Sequence, residues 1–204
     1  MQTNSFKQLT VITGISTGIF IREGEMSFFG KSEGRKIHTR NIELSTYEYD
    51  SERLVIEGSL IEKRLFDFEY ATGEKKPAGV IHHMTLRWLL NIGTFSIEDI
   101  DAEMIAVPHQ ECFETAGGLT NLKGMQIAAG FIVKIKELVG GTKGCSHLMA
   151  LLTSMAPAAI QGYAAYHSQK PSGFGPLRSD ALRFLVNSCQ PWRSDGPLVQ
   201  KYMK

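Results

Sequence analysis

The sequence predicts an α+β fold, with an antiparallel β-sheet from the N-terminal half packed against helices from the C-terminal half. Three observations predict it. Apolar residues recur at every second position between residues 37 and 107, the period of a half-buried strand. Short polar or Gly-containing connections separate these runs, as hairpins require. Beyond Pro108 the apolar period lengthens to three and four, the spacing of a helix with one buried face.

The first strand spans residues 37–49, with Ile42, Leu44, Thr46 and Glu48 at spacing two, and Asp50-Ser51-Glu52 forms the turn after it. A second run alternates through Leu54, Ile56, Gly58 and Leu60 and continues through Phe66, Phe68 and Tyr70. Residues 71–79 (ATGEKKPAG) form a polar loop. In the third strand, residues 80–92, Ile81, His83, Thr85, Arg87 and Leu89 share one face, and His82, Met84, Leu86 and Trp88 the other. After the tight connection Ile92-Gly93-Thr94-Phe95, a fourth strand covers residues 95–107. It sets Ile97, Asp99, Asp101 and Glu103 opposite Ser96, Glu98, Ile100, Ala102 and Met104. Its repeated acids suit a solvated face better than a catalytic pair.

Residues 111–122 read as a short, Gly-weakened helix or turn. Residues 125–139 carry Ile127, Phe131, Ile135 and Leu138 at helical spacing, and Gly140-Gly141 stops that helix. A long apolar helix over 146–167 buries Leu148, Leu151, Leu152, Met155, Ala159 and Tyr163, with Pro157 predicting a kink or break. Residues 170–175 form a loop, 177–187 a last helix, and the polar tail 192–204 is expected to be mobile. The chain is expected to be one domain: a possible extra β element over 1–35, a core over 35–168, and a C-terminal extension over 169–204.

The composition narrows the function classes. The chain has 204 residues, 43% hydrophobic and 21% charged, with 22 basic and 21 acidic side chains and a formal charge of +1. That balance, with basic residues scattered, points to neither nucleic acid nor a membrane surface as partner. It leaves room for a small-molecule substrate and for a homo-oligomer. Three well-separated cysteines, Cys112, Cys145 and Cys189, suit a reducing cytoplasm better than a disulfide framework. Residues 9–21 are apolar but mix Thr, Ser and Gly with Ile and Val, so they read as a strand rather than a signal peptide. No run reaches the roughly 18 apolar residues of a membrane span.

Thiols and imidazoles fall in three short clusters: His82-His83, His109-x-x-Cys112 and Cys145-Ser146-His147. Thiolates and imidazoles are the ligands zinc and iron prefer. Cys145 follows a Gly-rich turn and would start a helix, where backbone N–H groups and the helix dipole favour a thiolate. Two residues on a regular helix are about 200° apart, so Cys145 and His147 share a site only if Cys145 precedes the helix proper. His82 and His83 point to opposite sides of their strand, so at most one faces a given site. The expected metal ligands are His82, Cys112 and Cys145, with His83 or His147 as fourth, and the expected cofactor is zinc or iron. Two alternatives stay open: Cys145 as the nucleophile of a small-molecule enzyme with a neighbouring His as base, and a metal-free ligand- or partner-binding module.

Several stretches carry a resemblance. They are Ile56-Glu57-Gly58-Ser59-Leu60, Ile81-His82-His83-Met84-Thr85-Leu86-Arg87, Gly144-Cys145-Ser146-His147-Leu148 and the run Asn187-Ser188-Cys189-Gln190-Pro191-Trp192-Arg193-Ser194-Asp195-Gly196-Pro197. With them the chain resembles a bacterial family known only as domain of unknown function 2889, which implies no activity. More distantly, the order of elements is similar to that of iron–sulfur cluster assembly scaffold proteins. That resemblance implies a scaffold-like core with metal-binding positions near His82, Cys112 and Cys145. A His in place of the first thiolate suits a single zinc or iron better than a cluster.

Overall fold

The structure, a computed structural model, describes residues 34–170, 182 and 185–203. All elements below belong to one compact unit, Ile37–Lys204. The strand expected over residues 9–21 lies outside the described residues, as does most of the helix expected over 177–187.

The strands are β1 (His38–Glu48), β2 (Arg53–Arg64), β3 (Phe68–Glu69), β4 (Lys75–Lys76), β5 (Gly79–Asn91) and β6 (Ile97–Ala106). Four of them form an antiparallel sheet in the order β1-β2-β5-β6, and β3 pairs with β4 in a small separate hairpin. The alternation beyond Leu60 is therefore not one continuous strand. β2 stops at Arg64, and the expected polar loop folds back on Phe68–Glu69 through Lys75–Lys76. The helices are α1 (Phe131–Val139) and α2 (Ser146–Ser168), and Gln110–Leu122 forms a run of 3₁₀ turns.

The inner face of the sheet is the core. Leu54, Ile56, Leu60, Met84, Leu86, Trp88, Leu90 and Ile97 have no solvent-exposed surface. On the outer face Arg87 reaches Glu57 (2.6 Å), Asp101 (3.0 Å) and Glu103 (3.4 Å), so the acids of β6 serve a cross-strand ion-pair ladder. Ile97 does not share that face with them, as strict alternation predicts. The β5–β6 register shifts between Leu89 and Leu90, which turns Ile97 inward with Ile100, Ala102 and Met104.

The helix expected over residues 125–139 begins only at Phe131. The preceding residues pair with the start of β6 instead: Ile97 N–H donates to Met125 O (3.0 Å) and Ile127 N–H to Phe95 O (2.9 Å). Gly130 then takes the left-handed φ of +84° that caps α1. At the chain's end, the expected mobile tail contains a short helix, Pro197–Tyr202.

Helix α2 runs lengthwise along β2. His147 meets Glu62 near the strand's end, Met155 meets Gly58, and the Tyr166 hydroxyl reaches Ser51 O (3.4 Å) near its start. The helix passes through Pro157 without a break, although Pro157 has no N–H for Thr153 O. Among the described residues α2 is the one helix long and apolar enough to cross a membrane. Its predicted stripe, Leu148 to Tyr163, is buried against the sheet, as in a core helix. Two glycines let it approach this closely. A Cβ on Gly58 would stand 2.9 Å from Met155 Cγ, and one on Gly162 would stand 2.1 Å from Thr46 Oγ1. We expect Gly162→Ala to destabilise the protein by roughly 1–3 kcal/mol in urea unfolding, despite alanine's better helix propensity. Adding Thr46→Ala should recover part of that loss. A stabilised single variant would show that α2 does not pack this tightly.

Candidate metal centre

One end of the sheet collects its polar inner-face residues. On β2 the inward positions run Leu54, Ile56, Gly58, Leu60 and then Glu62, whose carboxylate follows the core parity and is 8% exposed. The register pairs Glu62 with Arg40 on β1 and with His82 on β5. His38 lies two residues before Arg40, so both share the inward parity. From the other side, the first turn of α2 brings down His147, and Cys145 sits just before the helix as its N-cap.

The carboxylate is shared between two pairs of groups. At Oε1 it accepts from His38 Nε2 (2.6 Å) and Arg40 (3.1 Å). Oε2 accepts from His147 Nε2 (2.9 Å) and lies 2.9 Å from His82 Nδ1. The His82 and His147 rings stack, with centroids 3.6 Å apart and planes 27° from parallel. His82 Nδ1 is buried, and its nearest acidic oxygen is Oε2 at 2.9 Å. On the far side of the His147 ring, Nδ1 lies 3.6 Å from Cys145 Sγ, and the His147 backbone N–H donates to the same sulfur (3.3 Å).

These contacts set the charges. Burial works to raise the Glu62 carboxyl, but the His38 hydrogen bond and the charges of Arg40 and His147 overcome it and hold it at about 2. Burial, with His147 nearby, pushes His82 below its ordinary value against the pull of Glu62. The Cys145 hydrogen bond raises His147 against the effect of burial, and the charges of Cys145 and Glu62 add to the rise. Burial pushes the Cys145 thiol up, but hydrogen bonds from the His147 side chain and from the backbone N–H groups of Leu148 and His147 bring it below its usual range.

Of the residues singled out in the sequence, the structure brings together His82 and His147, with Cys145 touching the outer nitrogen of His147. Cys145 does precede the helix proper, which is the condition for sharing a site with His147. Cys112 is half-buried in the 3₁₀ run and stands outside the Glu62–His82–His147 group, as does His83. Glu62, His38 and Arg40 were not singled out. The signal for Glu62 was its parity with Leu60 and Ile56, masked by the charged run Glu62-Lys63-Arg64.

Oε2 of Glu62, Nδ1 of His82 and Nε2 of His147 belong to a group whose ligand atoms all lie within 4.8 Å of one another. Ligands about 2.0–2.1 Å from a tetrahedral ion stand about 3.4 Å apart. The His82 and His147 rings, stacked with centroids 3.6 Å apart, would have to separate and tilt for both to face one ion. The buried His82 Nδ1, 2.9 Å from the carboxylate, is the imidazole atom nearest to where such an ion would sit.

The fold and site define an α+β protein with a buried carboxylate–bis-imidazole group where sheet meets helix. The chain belongs to the family described as "Protein of unknown function (DUF2889)", whose model matches residues 38–161. That span includes Glu62, His82, Cys145 and His147. No curated protein and no solved structure matches the chain.

The depressed Glu62 pKa has a stability consequence with a definite sign. Its folded value of about 2 lies below the ordinary 4.5. The stabilisation is therefore complete above about 4.5 and is lost as pH falls toward 2. In metal-free protein we expect Glu62→Gln to cost up to about 3 kcal/mol at pH 6, and the gap from wild type to close as pH drops to 2. Urea unfolding across that window measures it; a gap independent of pH would mean the carboxylate is not held ionised by its neighbours.

Proposed function

We propose that this protein binds a single zinc or iron(II) ion through Glu62 Oε2, His82 Nδ1 and His147 Nε2. The observation that supports it is the convergence of one buried and two half-buried donors from β2, β5 and α2, one of them a nitrogen without a hydrogen bond. Two imidazoles and one carboxylate form a donor set used for zinc and for non-haem iron(II) with open positions. Three protein ligands leave room for water or a substrate atom, which favours a catalytic centre over a closed structural one. With Nε2 on the metal, the His147 proton must reside on Nδ1, where it donates to Cys145 Sγ. Cys145 then acts through His147 and does not bind the ion itself. This donor set suits one ion rather than an iron–sulfur cluster.

Reconstituted wild-type protein is expected to hold about one equivalent of metal, measured by elemental analysis and calorimetry. Glu62→Gln, His82→Ala and His147→Ala should abolish stoichiometric binding. Cys145→Ala should weaken it about 10–100-fold, and Cys112→Ala should leave it unchanged. Loss of metal in Cys112→Ala, with Glu62→Gln still loaded, would instead favour a thiolate set of His82, Cys112 and Cys145.

A second reading, of an enzyme with Cys145 as nucleophile, is favoured by the chain Cys145 Sγ–His147–Glu62, in which an imidazole lies between a thiol and a carboxylate. It requires Nδ1 to be free to take the thiol proton, which a metal on Nε2 prevents. In metal-free protein near pH 6.5, iodoacetamide should then modify half-buried Cys145 before exposed Cys189, and His147→Ala should reverse the order. Modification of Cys189 first in the wild type would rule this chemistry out.

A further inference from the structure

We propose that the loaded centre takes an oxyanion, the carboxylate or phosphate group of a small molecule, held between the metal ion and Arg40. The inference rests on the metal centre proposed above and names the class of ligand that its open side accepts.

Charge is the first argument. A divalent ion, one carboxylate, two neutral imidazoles and one guanidinium sum to a net charge of about +2, and a thiolate at Cys145 would remove only one of these charges. The metal-binding side chains are only 11–15% exposed, so water screens this excess poorly. An anion in the open coordination position compensates it.

Arg40 supplies the second argument. Among the described residues it makes one ion pair, to Glu62 Oε1, through one nitrogen at 3.1 Å. Its side chain is 41% exposed, so Arg40 offers guanidinium surface to a ligand while it holds Glu62. Arginine's parallel N–H groups match the two oxygens of a carboxylate or phosphate, and one of those oxygens can also reach a metal.

The division of labour at Glu62 fits this arrangement. His38 and Arg40 hold Oε1, which leaves Oε2 for the ion and keeps Arg40 one carboxylate width away from it. The start of α2 lies on the same side through His147, and its dipole adds positive potential there. The bound group is expected to be a single oxyanion on a small molecule, because the chain as a whole, at +1, has no extended basic surface for a polyanion.

The test uses full-length protein loaded with cobalt(II), whose visible absorption responds to the atoms around the ion. Inorganic phosphate is titrated in one series and acetate in another, with bound cobalt measured alongside. Saturable spectral change with at least one of the two anions is expected, and the responding arm distinguishes phosphate from carboxylate recognition. Compared at equal bound cobalt, Arg40→Met should weaken that affinity about 10–100-fold. Arg40→Lys, which keeps the charge and loses the fork, should fall between; it also serves if Arg40→Met does not fold or does not load. Stoichiometric cobalt with a spectrum unmoved by either anion would overturn the inference and leave the metal centre standing. Equal anion affinity in wild type and the Arg40 variants would also overturn it. Failure to bind cobalt at all would remove the metal centre and this inference together.

Discussion

A carboxylate stripped of most of its water sits where the sheet meets the long helix, and the groups that keep it ionised come from two other elements, β1 and α2. Glu62 could not remain charged at 8% exposure without partners. His38 and Arg40 from β1, His82 from β5 and His147 from α2 all reach it, the first two at one oxygen and the other two at the second. Removing His38, Arg40 or His147 leaves a buried charge short of compensation, so the ends of these elements are tied to one another through a single side chain.

That convergence depends on how close α2 lies to the sheet. The helix follows β2 from Glu62 back to Ser51, and its separation from the strands is set where Gly58 and Gly162 replace side chains with backbone contact. A bulkier residue would clash with Met155 at Gly58 and with Thr46 at Gly162, pressing the helix away from the strands. Cys145 completes the arrangement from outside: as N-cap it takes the His147 backbone N–H and also faces the outer nitrogen of the ring.

Much of this was legible in the sequence. Alternation located the four main strands, and the buried stripe of α2 was read residue by residue, because periods of two and of three to four report directly on which face is apolar. His82, Cys145 and His147 stood out as chemistry-bearing residues on an otherwise ordinary chain. The start of α1 was misplaced because Ile127 fits a helical stripe and a strand bridge equally well, and only the pairing with Phe95 decides between them. Ile97 was put on the wrong face because a register shift leaves no trace in composition. Glu62, His38 and Arg40 were missed for a different reason. A charged residue at a strand end reads as solvated, and its inward direction matters only once pairing across 22 to 24 residues brings two such ends together. Cys112 drew attention by residue type alone, and nothing local to it shows which way the 3₁₀ run carries it.

The central claim is that the ion is held by nitrogen and oxygen and not by sulfur. X-ray absorption at the zinc edge of stoichiometrically loaded protein tests it directly. The expected first shell is nitrogen and oxygen at about 2.0–2.1 Å, with the outer-ring scattering of two imidazoles and no sulfur. A sulfur contribution at about 2.3 Å would place Cys145 or Cys112 on the metal and contradict the assignment of Glu62, His82 and His147 as its protein ligands.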